Sequence, residues 1–466
     1  QAVMRGTGAF GPGEWTDDTA QLIAIAQAAA DGLDLTSPPC EDAVAANFQQ
    51  WYRSPPASKD IGMHTSSVMG EVFRAPREGL ADRLRAAADA KAERRPDSSG
   101  GNGALMRTAA VAVALHDDPA RMVAAAMRIA SMTHADDRSS ESCAVLCLAI
   151  RRALRTPRWD EHALAAFCED VIADVGTYLP ASADYWTGVL TDSFGTSPVD
   201  YFDHWPRNGY SVTALRAAWA AVTGTPVPID EPALHLRLAI EAAVRGGGDT
   251  DTVACIAGAL LGAMWGYSAV PLTWRRLIHG WPDYRDADLV RLADAISRGR
   301  IDRSRWPWVD HVALVKWTGD DAAVTHPFDD GVVLGGITAA RGLIELHGGP
   351  VDAVVSLCRV GTDDLTPLGL APENRVEVRL IDSERRNDNP HLSRVLADTA
   401  DVVATLRAEG KRVLLHCVAA QSRTPSVAAL YATRNLGVAP DEAWRRVCAA
   451  LPAAHPNRAF ADAVGA

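Results

Sequence analysis

The chain has 466 residues, which is long for one hydrophobic core and predicts two or three domains. Hydrophobic residues make up 48% and charged residues 22%, an ordinary globular composition that excludes a disordered chain. The 46 basic and 58 acidic side chains give a net charge of −12, which argues against a broad nucleic-acid-binding surface.

The eight cysteines are scattered without a CxxC pair, which indicates reduced thiols in a cytoplasmic protein. Residues 252–270 carry no charge over 19 residues, a length that in principle spans a bilayer. Because they are rich in Ala and Gly and begin inside an acidic motif, we expect a buried helix and no membrane partner. No signal peptide precedes the first predicted domain, and Gln1 does not resemble a native start, so we expect an upstream segment to be missing.

Thr16-Asp17-Asp18-Thr19 leads into a predicted helix over residues 20–31. On its own, this quartet is most simply interpreted as helix capping, because Thr and Asp satisfy free amides and suit the helix dipole. The stretch at 246–252, GGGDTDT, has the same chemistry just ahead of another predicted helix. Its oxygen ligands suit Mg²⁺, Mn²⁺ or Ca²⁺, so the two stretches could form one cation site across a cleft.

Between these stretches the pattern is helical, with no sustained β-alternation before residue 300. Helices are predicted over residues 41–51, 79–95, 120–132, 138–154, 162–175, 212–222 and 232–244. The Gly-rich loop at 97–107 offers bare amides to a phosphate, although a loop without a ligand is the commoner outcome. The first three hundred residues therefore predict an all-α domain.

Beyond a predicted linker at 300–310, the pattern changes. Strand-like runs at 351–357, 375–381 and 412–416 are separated by helical stretches. This alternation predicts an α/β domain over residues 311–466 with a central, mostly parallel sheet.

Five residues separate Cys417 from Arg423 in a loop between the last predicted strand and a helix over 425–435. In such a loop, amides and the helix N-terminus surround an anion, the arginine binds two of its oxygens, and the cysteine becomes a thiolate nucleophile. The alternative is a buried cysteine at a strand end. Asp382 is the candidate proton donor to the leaving oxygen, with Asp388 second, and Thr424 is expected to stabilise the departing sulfur.

These residues resemble the dual-specificity and tyrosine-type protein phosphatases, whose signature is HCxxGxSR followed by Ser or Thr. The matching positions are His416, Cys417, Ser422, Arg423 and Thr424, with Asp382 thirty-five residues before the cysteine. The loop glycine of that family falls on Ala420, so we expect a reshaped or slower cradle.

The N-terminal motifs together resemble the ADP-ribosylglycohydrolases that reverse ADP-ribosylation of dinitrogen reductase. The motifs that carry the resemblance are Thr16–Thr19, Asp60-Ile61-Gly62, the loop Gly101–Arg107, Thr133-His134, Asn208-Gly209-Tyr210 and Gly247–Thr252. The resemblance covers residues 1–299 and implies an all-α fold. It also implies two Mg²⁺ or Mn²⁺ ions held by Thr16, Asp17, Asp18, Asp249, Asp251 and Thr252.

Further roles follow from the same resemblance. Asp97 is the candidate that handles the proton, His134 and Tyr210 would contact the adenosine or diphosphate, and Gly101, Asn102 and Gly103 would lie near the ribose or phosphates. The family's N-terminal Gly-Asp-Ala helix start is absent from this sequence.

The sequence thus predicts a bifunctional hydrolase with one metal-dependent and one cysteine-dependent site. Its expected partners are an ADP-ribosylated macromolecule or an ADP-ribose derivative, and a phosphorylated substrate. The alternative is a metal-loaded module that binds ADP-ribose and phosphate with little or no turnover.

Overall fold

The structure, a computed structural model, describes residues 4, 6, 8–55, 58–74, 79–96, 99–197, 208–297, 323–342, 344–346, 348–360 and 363–465. The chain divides into two compact units. One comprises Gln1–Tyr267 and Ile278–Arg303, and the other comprises Ser268–Leu277 and Ser304–Ala466. The predicted linker at 300–310 lies outside the described residues.

The first unit is helical, as predicted. Within its described residues the helices are α1 (Asp17–Ala30), α2 (Pro38–Tyr52), α3 (Met63–Val72), α4 (Leu80–Arg94), α5 (Ala109–Leu115), α6 (Pro119–Ser131), α7 (Asp137–Arg155), α8 (Glu161–Tyr178), α9 (Ala183–Ser193), α10 (Ser211–Gly224), α11 (Leu234–Arg245), α12 (Thr250–Trp265) and α14 (Asp286–Ser297), with α13 (Leu272–Arg275) of the second unit between the last two. Many buried positions are alanine, which lets these helices pack closely around large side chains such as Trp51, Trp186 and Trp219.

One feature of this unit departs from the all-α prediction. Strands β1 (His279–Gly280) and β2 (Tyr284–Arg285) pair antiparallel. Each strand has only two residues, too few to show the alternation by which a strand is recognised in a sequence. Among the described residues, no helix combines the length and the apolar character that crossing a membrane requires.

The second unit contains a five-stranded sheet in the order β3-β4-β7-β5-β6. The strands are β3 (Val324–His326), β4 (Asp329–Gly335), β5 (Ala353–Ser356), β6 (Arg375–Glu377) and β7 (Val413–His416). Only β3 runs antiparallel to its neighbour, so the expected mostly parallel sheet is present. Strand β6 is shorter than the predicted run at 375–381, and β3 and β4 had no predicted counterpart.

The helices of this unit are α13 (Leu272–Arg275), α15 (Ile337–Ala340), α16 (Leu392–Ala408), α17 (Arg423–Leu436), α18 (Pro440–Ala450) and α19 (Arg458–Val464). Parallel strands β4, β5 and β7 end in register, because Gly335 and Ser356 both lie beside His416. Loops that carry chemistry follow these carboxyl ends.

The segment Ser268–Leu277, which lies early in the sequence, belongs to the second unit. Leu272 is buried in the core that contains Val355 and Leu415, and its amide donates to Asp398 Oδ2 at 2.7 Å. Arg275 Nη2 donates to Glu377 O at 3.0 Å. These contacts make the segment part of the second unit's core.

Leu272→Ala is therefore expected to lower the opening free energy of the second unit by about 2–4 kcal/mol, because it leaves a cavity. Hydrogen exchange of peptides spanning β7 measures this. Leu436→Ala, at a side chain that is 39% exposed, is the control and should cost less than about 1 kcal/mol. Equal protection of β7 in both variants would contradict the assignment of the segment.

Candidate functional sites

A cleft of about 990 Å³ lies within the first unit. It is lined by predicted site residues from four parts of the chain, together with side chains of α3 and the end of α4. The predicted residues that line it are Asp17, Gly101, Asn102, Gly103, His134, Asp249, Asp251 and Thr252. The structure thus brings together the two acidic stretches, which are more than two hundred residues apart in sequence.

The acidic stretches occupy the first turns of α1 and α12 but do not cap them. Thr16 and Asp249 hold the N-cap positions, and neither side chain accepts a hydrogen bond from a backbone amide of its helix. Elsewhere in this unit Asp118, Asp136 and Asp160 each accept a hydrogen bond from an amide of the helix that follows. The oxygens of the acidic stretches therefore remain available to a ligand, which weakens the capping interpretation.

Short hydrogen bonds orient the carboxylates. Thr16 Oγ1 donates to Asp18 Oδ2 at 2.6 Å, and Gln21 Nε2 donates to Asp17 Oδ2 at 3.0 Å. In the second stretch, Asn102 Nδ2 donates to Asp249 Oδ2 at 2.6 Å. Asp18 Oδ1 is buried without a hydrogen-bond partner in the described part of the chain.

Asp60 belongs to this cluster and was not predicted as a site residue. Its Oδ2 accepts a hydrogen bond from Asp17 N at 3.3 Å, and its Oδ1 is buried without a partner among the described residues. The signal was present in Asp60-Ile61-Gly62, one of the motifs of the resemblance, to which no role was given.

The carboxyl groups disfavour each other's ionisation. Burial, followed by the charges of Asp18 and Asp60, raises the pKa of Asp17 to about 9. Burial raises the pKa of Asp18 to about 7, even though the hydrogen bond from Thr16 opposes the shift. Burial also raises the pKa values of Asp60 and Asp249. Positive charge inside the cleft would therefore favour the ionised form of these carboxyl groups at neutral pH.

The donor set fits hard cations. No three His, Cys, Asp or Glu side chains of the described residues already enclose a single metal ion. The fit therefore rests on donor chemistry. The oxygens are carboxylate and hydroxyl, two of the carboxylate oxygens are buried without partners, and the clustered charges need compensation.

The Gly-rich loop lines the cleft beside His134. A Cβ built on Gly101 would make an ordinary contact of 3.4 Å with His134 Nε2, whereas one on Gly103 would approach Thr65 Oγ1 to 3.0 Å and His134 Cε1 to 3.3 Å, so Gly103 is the tighter position beside the ring. Asn102 N is already engaged, since it donates to Gly209 O at 3.0 Å. Asp97, the candidate that handles the proton, lies outside the described residues.

Tyr210 does not line the cleft. Its ring packs against Gly100, where an added Cβ would approach it to 2.3 Å, and Tyr210 forms an isolated bridge with Gly101. Burial and then the charge of Asp136 raise the pKa of Tyr210 to about 12. Its observed contacts therefore hold the glycine loop.

The second site is the loop between β7 and α17. Cys417 is 1% exposed at the end of the strand. The carbonyls of Val418 and Gln421 accept hydrogen bonds from residues outside the loop, Ile337 N at 2.9 Å and His455 N at 2.7 Å respectively. Among the described residues, the amides of Ala419, Ala420 and Gln421 have no acceptor. Unengaged amides beside the N-terminus of a helix are the arrangement that the predicted anion cradle requires.

Arg423 is fixed by backbone carbonyls. Its Nη1 donates to Leu380 O at 2.9 Å and to Leu357 O at 3.2 Å. Its Nε has no hydrogen-bond partner in the described part of the chain and lies 3.6 Å from Asp382 Oδ2. The guanidinium is held in place and retains donor capacity beside the predicted proton donor.

His416 is buried at the start of this loop and makes two hydrogen bonds. Burial lowers its pKa to about 4, so the ring is neutral. Nδ1 lies 3.0 Å from Cys417 O, which can only accept, and Nε2 lies 2.7 Å from Ser356 Oγ. Nδ1 therefore carries the proton and Ser356 donates to Nε2. The Thr424 hydroxyl is buried and lies 3.5 Å from Gly335 O, a long contact.

Ala420 takes the backbone conformation expected of the glycine that it replaces. Its φ of 55° lies in the left-handed region, although the residue has a Cβ and is 4% exposed. This conformation costs about 1–2 kcal/mol for a residue other than glycine. The loop thus keeps this backbone conformation at a cost in strain.

Asn457 connects the cradle to the loop that carries the acid, and the sequence reasoning missed it. Its backbone amide donates to Ser422 Oγ at 3.1 Å, and its Nδ2 donates to Asp382 Oδ1 at 2.7 Å. Its Oδ1 also accepts from Phe460 N and caps α19. The only sequence signal was an Asn in an N-cap position, forty residues after Cys417.

A model of the ADP-ribosylglycohydrolase family matches residues 1–305. The chain belongs to this family. As an ADP-ribosylglycohydrolase family member, it is 26% identical over 274 residues to the ADP-ribosylarginine hydrolase Tri1 of Serratia proteamaculans (strain 568), a match that covers 56% of this chain and 63% of that protein. The chain thus spans less than two thirds of that relative. It is also 26% identical over 306 residues to the human ADP-ribosylhydrolase ARH3, covering 61% and 78% of the two chains.

Two solved structures are similar to parts of this family member. An ADP-ribosylglycohydrolase-related protein complex matches with 25% identity and a TM-score of 0.46, covering 64% of this chain and 86% of that one. Human DUSP28 matches with 21% identity and a TM-score of 0.25, covering 30% and 89%.

Proposed function

We propose that the first unit hydrolyses the glycosidic bond at the distal ribose of ADP-ribosylated substrates, using two Mg²⁺ or Mn²⁺ ions. The observation that carries this proposal is the convergence of two helix-initial acidic stretches in one cleft without capping their own helices. Family membership supports it, as do relatives named ADP-ribosylarginine hydrolase and ADP-ribosylhydrolase.

The ions would be held by oxygens of the two acidic stretches and of Asp60. The proposed ligands are Thr16, Asp17, Asp18, Asp60, Asp249, Asp251 and Thr252. When bound, such ions orient a ribose diol and lower the pKa of a water molecule.

The chain's own residues position this chemistry. Asn102 orients the Asp249 carboxylate, and Asn208 Oδ1 accepts a hydrogen bond from Asp249 N at 2.9 Å. The side-chain amides of Asn102 and Asn208 thus fix the start of α12. Gly101 and Gly103 line the cleft beside His134. We assign Asp97 to proton transfer on the resemblance alone.

We further propose that the second unit hydrolyses phosphate monoesters. The observation that favours this activity is the set of unengaged amides after Cys417, in the loop that leads to Arg423, whose Nε has no hydrogen-bond partner among the described residues and lies 3.6 Å from Asp382 Oδ2. The Cys417 thiolate forms a bond to phosphorus while the bond to the leaving oxygen breaks, and Asp382 gives that oxygen its proton. Water then cleaves the thiophosphate, releasing phosphate and the thiolate.

A binding module without turnover remains the alternative function. The strained Ala420 in the cradle favours it. Product analysis with a panel of ADP-ribosylated substrates, in Mg²⁺ and in Mn²⁺, separates the two. Release of ADP-ribose supports the hydrolase, and tight binding without release supports the module.

Mg²⁺ or Mn²⁺ is expected to raise the melting temperature of the first unit, because it binds the folded cluster and relieves repulsion. Asp18→Asn should reduce this metal-dependent rise and, in chelator, should leave the unit as stable as wild type or more stable. Asp34→Asn, at a carboxylate outside the cleft, is the control and should keep the full rise. Calorimetry with and without metal measures both. A full rise in the Asp18 variant would contradict the proposed ligand set.

Cys417→Ser is expected to abolish phosphate release from an aryl phosphate, because the serine hydroxyl is a far weaker nucleophile. ADP-ribose release by the same variant should be unchanged, since it depends on other residues. Cys448→Ser controls for loss of a thiol. Phosphate release at the wild-type rate from the Cys417 variant would exclude the phosphatase proposal.

Asn457→Ser is expected to slow phosphate release by about tenfold, because a serine can cap α19 but cannot reach Asp382. Its unfolding free energy should stay within about 0.5 kcal/mol of wild type. Asn457→Ala should lose about 1 kcal/mol in addition, because the cap is lost. Steady-state kinetics and denaturant unfolding measure these effects, and an unchanged rate in both variants would remove Asn457 from the site.

A further inference from the structure

A buried cation, Arg107, contacts the partners of two residues that line the cleft, Asp17 and His134. Its side chain is 0% exposed. Nη1 donates to Gln21 Oε1 at 2.6 Å, and Nη2 donates to Thr133 Oγ1 at 2.6 Å. The guanidinium carbon also lies 4.6 Å from the centre of the Phe48 ring. Because a guanidinium has donors only, both partner oxygens must accept.

The hydrogen bond from Arg107 determines the direction in which the Thr133 hydroxyl donates its proton. Thr133 Oγ1 accepts from Arg107 and lies 2.8 Å from His134 Nδ1. Among the described residues, the hydroxyl has no other acceptor for its single proton. Thr133 therefore donates to Nδ1, which carries no proton itself.

The proton of the imidazole is then on Nε2. Burial, followed by the charges of His64 and Arg107, lowers the pKa of His134 well below its usual range, so the ring is neutral. A neutral ring with an unprotonated Nδ1 has one N–H, at Nε2.

That N–H is directed into the cleft. Nε2 faces the glycine loop, since a Cβ built on Gly101 or Gly103 would lie 3.4 Å from it, and His134 is among the residues that line the cleft although it is only 1% exposed. Within the described residues, His134 Nε2 has no hydrogen-bond partner. A ligand that enters the cleft meets a buried, oriented donor.

We propose that Arg107 and Thr133 are positioning residues that fix His134 as an Nε2–H donor for an acceptor oxygen of the substrate. The same guanidinium fixes the Gln21 amide so that its Nε2 donates to Asp17. Arg107 thus acts on His134 through Thr133 and on Asp17 through Gln21. The tautomer rests on the hydrogen bonds and on the neutrality of the buried ring, whereas the contact with substrate rests on the proposed hydrolase function.

The test is long-range ¹H–¹⁵N spectroscopy of the full chain labelled at histidine. In wild type, His134 should show a protonated Nε2 and an unprotonated Nδ1. Thr133→Val keeps the shape of the side chain but removes the hydroxyl, so both tautomers should become populated, and ADP-ribose should bind about tenfold more weakly in the presence of Mg²⁺. Thr133→Ser should restore the tautomer and the affinity.

A protonated Nδ1 in wild type overturns the proposal and requires no variant to be made. A Thr133→Val protein that keeps the wild-type tautomer also overturns it, because Thr133 would then have no positioning role. If the tautomer is the expected one but wild type binds no ADP-ribose, the hydrolase function and the substrate contact are overturned, and the hydrogen-bond relay stands.

Discussion

The repulsion between buried carboxylates at the starts of α1 and α12 is the constraint on which the first site depends. A helix N-terminus stabilises one or two acidic side chains through its amides and dipole, and here those side chains do not bond to the amides. They lie together with Asp60, and burial, followed by the charges of Asp18 and Asp60, raises the pKa of Asp17 to about 9. The fold holds this arrangement because hydrogen bonds from Asn102 and Gln21 orient the carboxylates toward the cleft.

The second site also lies at a helix N-terminus, but it presents backbone amides where the first presents carboxylates. The loop before α17 keeps its amides unengaged, and its carbonyls are bound from outside by Ile337 and His455. A cradle of amides attracts an anion, whereas a cluster of carboxylates attracts cations. The two proposed sites therefore favour ligands of opposite charge, cations at the carboxylates and an anion at the amides.

Much of this organisation could be predicted from the sequence. The main helices of the first unit and the strands that became β5 and β7 follow from periodicity, because their hydrophobic faces are long enough to show a pattern. Both acidic stretches and the Cys417 loop were also visible, since each combines several residues at short spacing. The residues that escaped prediction act alone. Asp60 and Asn457 each contribute one side chain from a loop or a helix start, and only tertiary contacts bring them to Asp17 and Asp382.

The central claim is that the acidic cluster binds a pair of divalent cations, and anomalous diffraction from crystals grown with Mn²⁺ tests it most directly. The account predicts two anomalous peaks within about 2–2.5 Å of oxygens from both acidic stretches, Asp17–Asp18 and Asp249–Thr252. Crystals that diffract well and show manganese only elsewhere, or bound to one stretch alone, would contradict it.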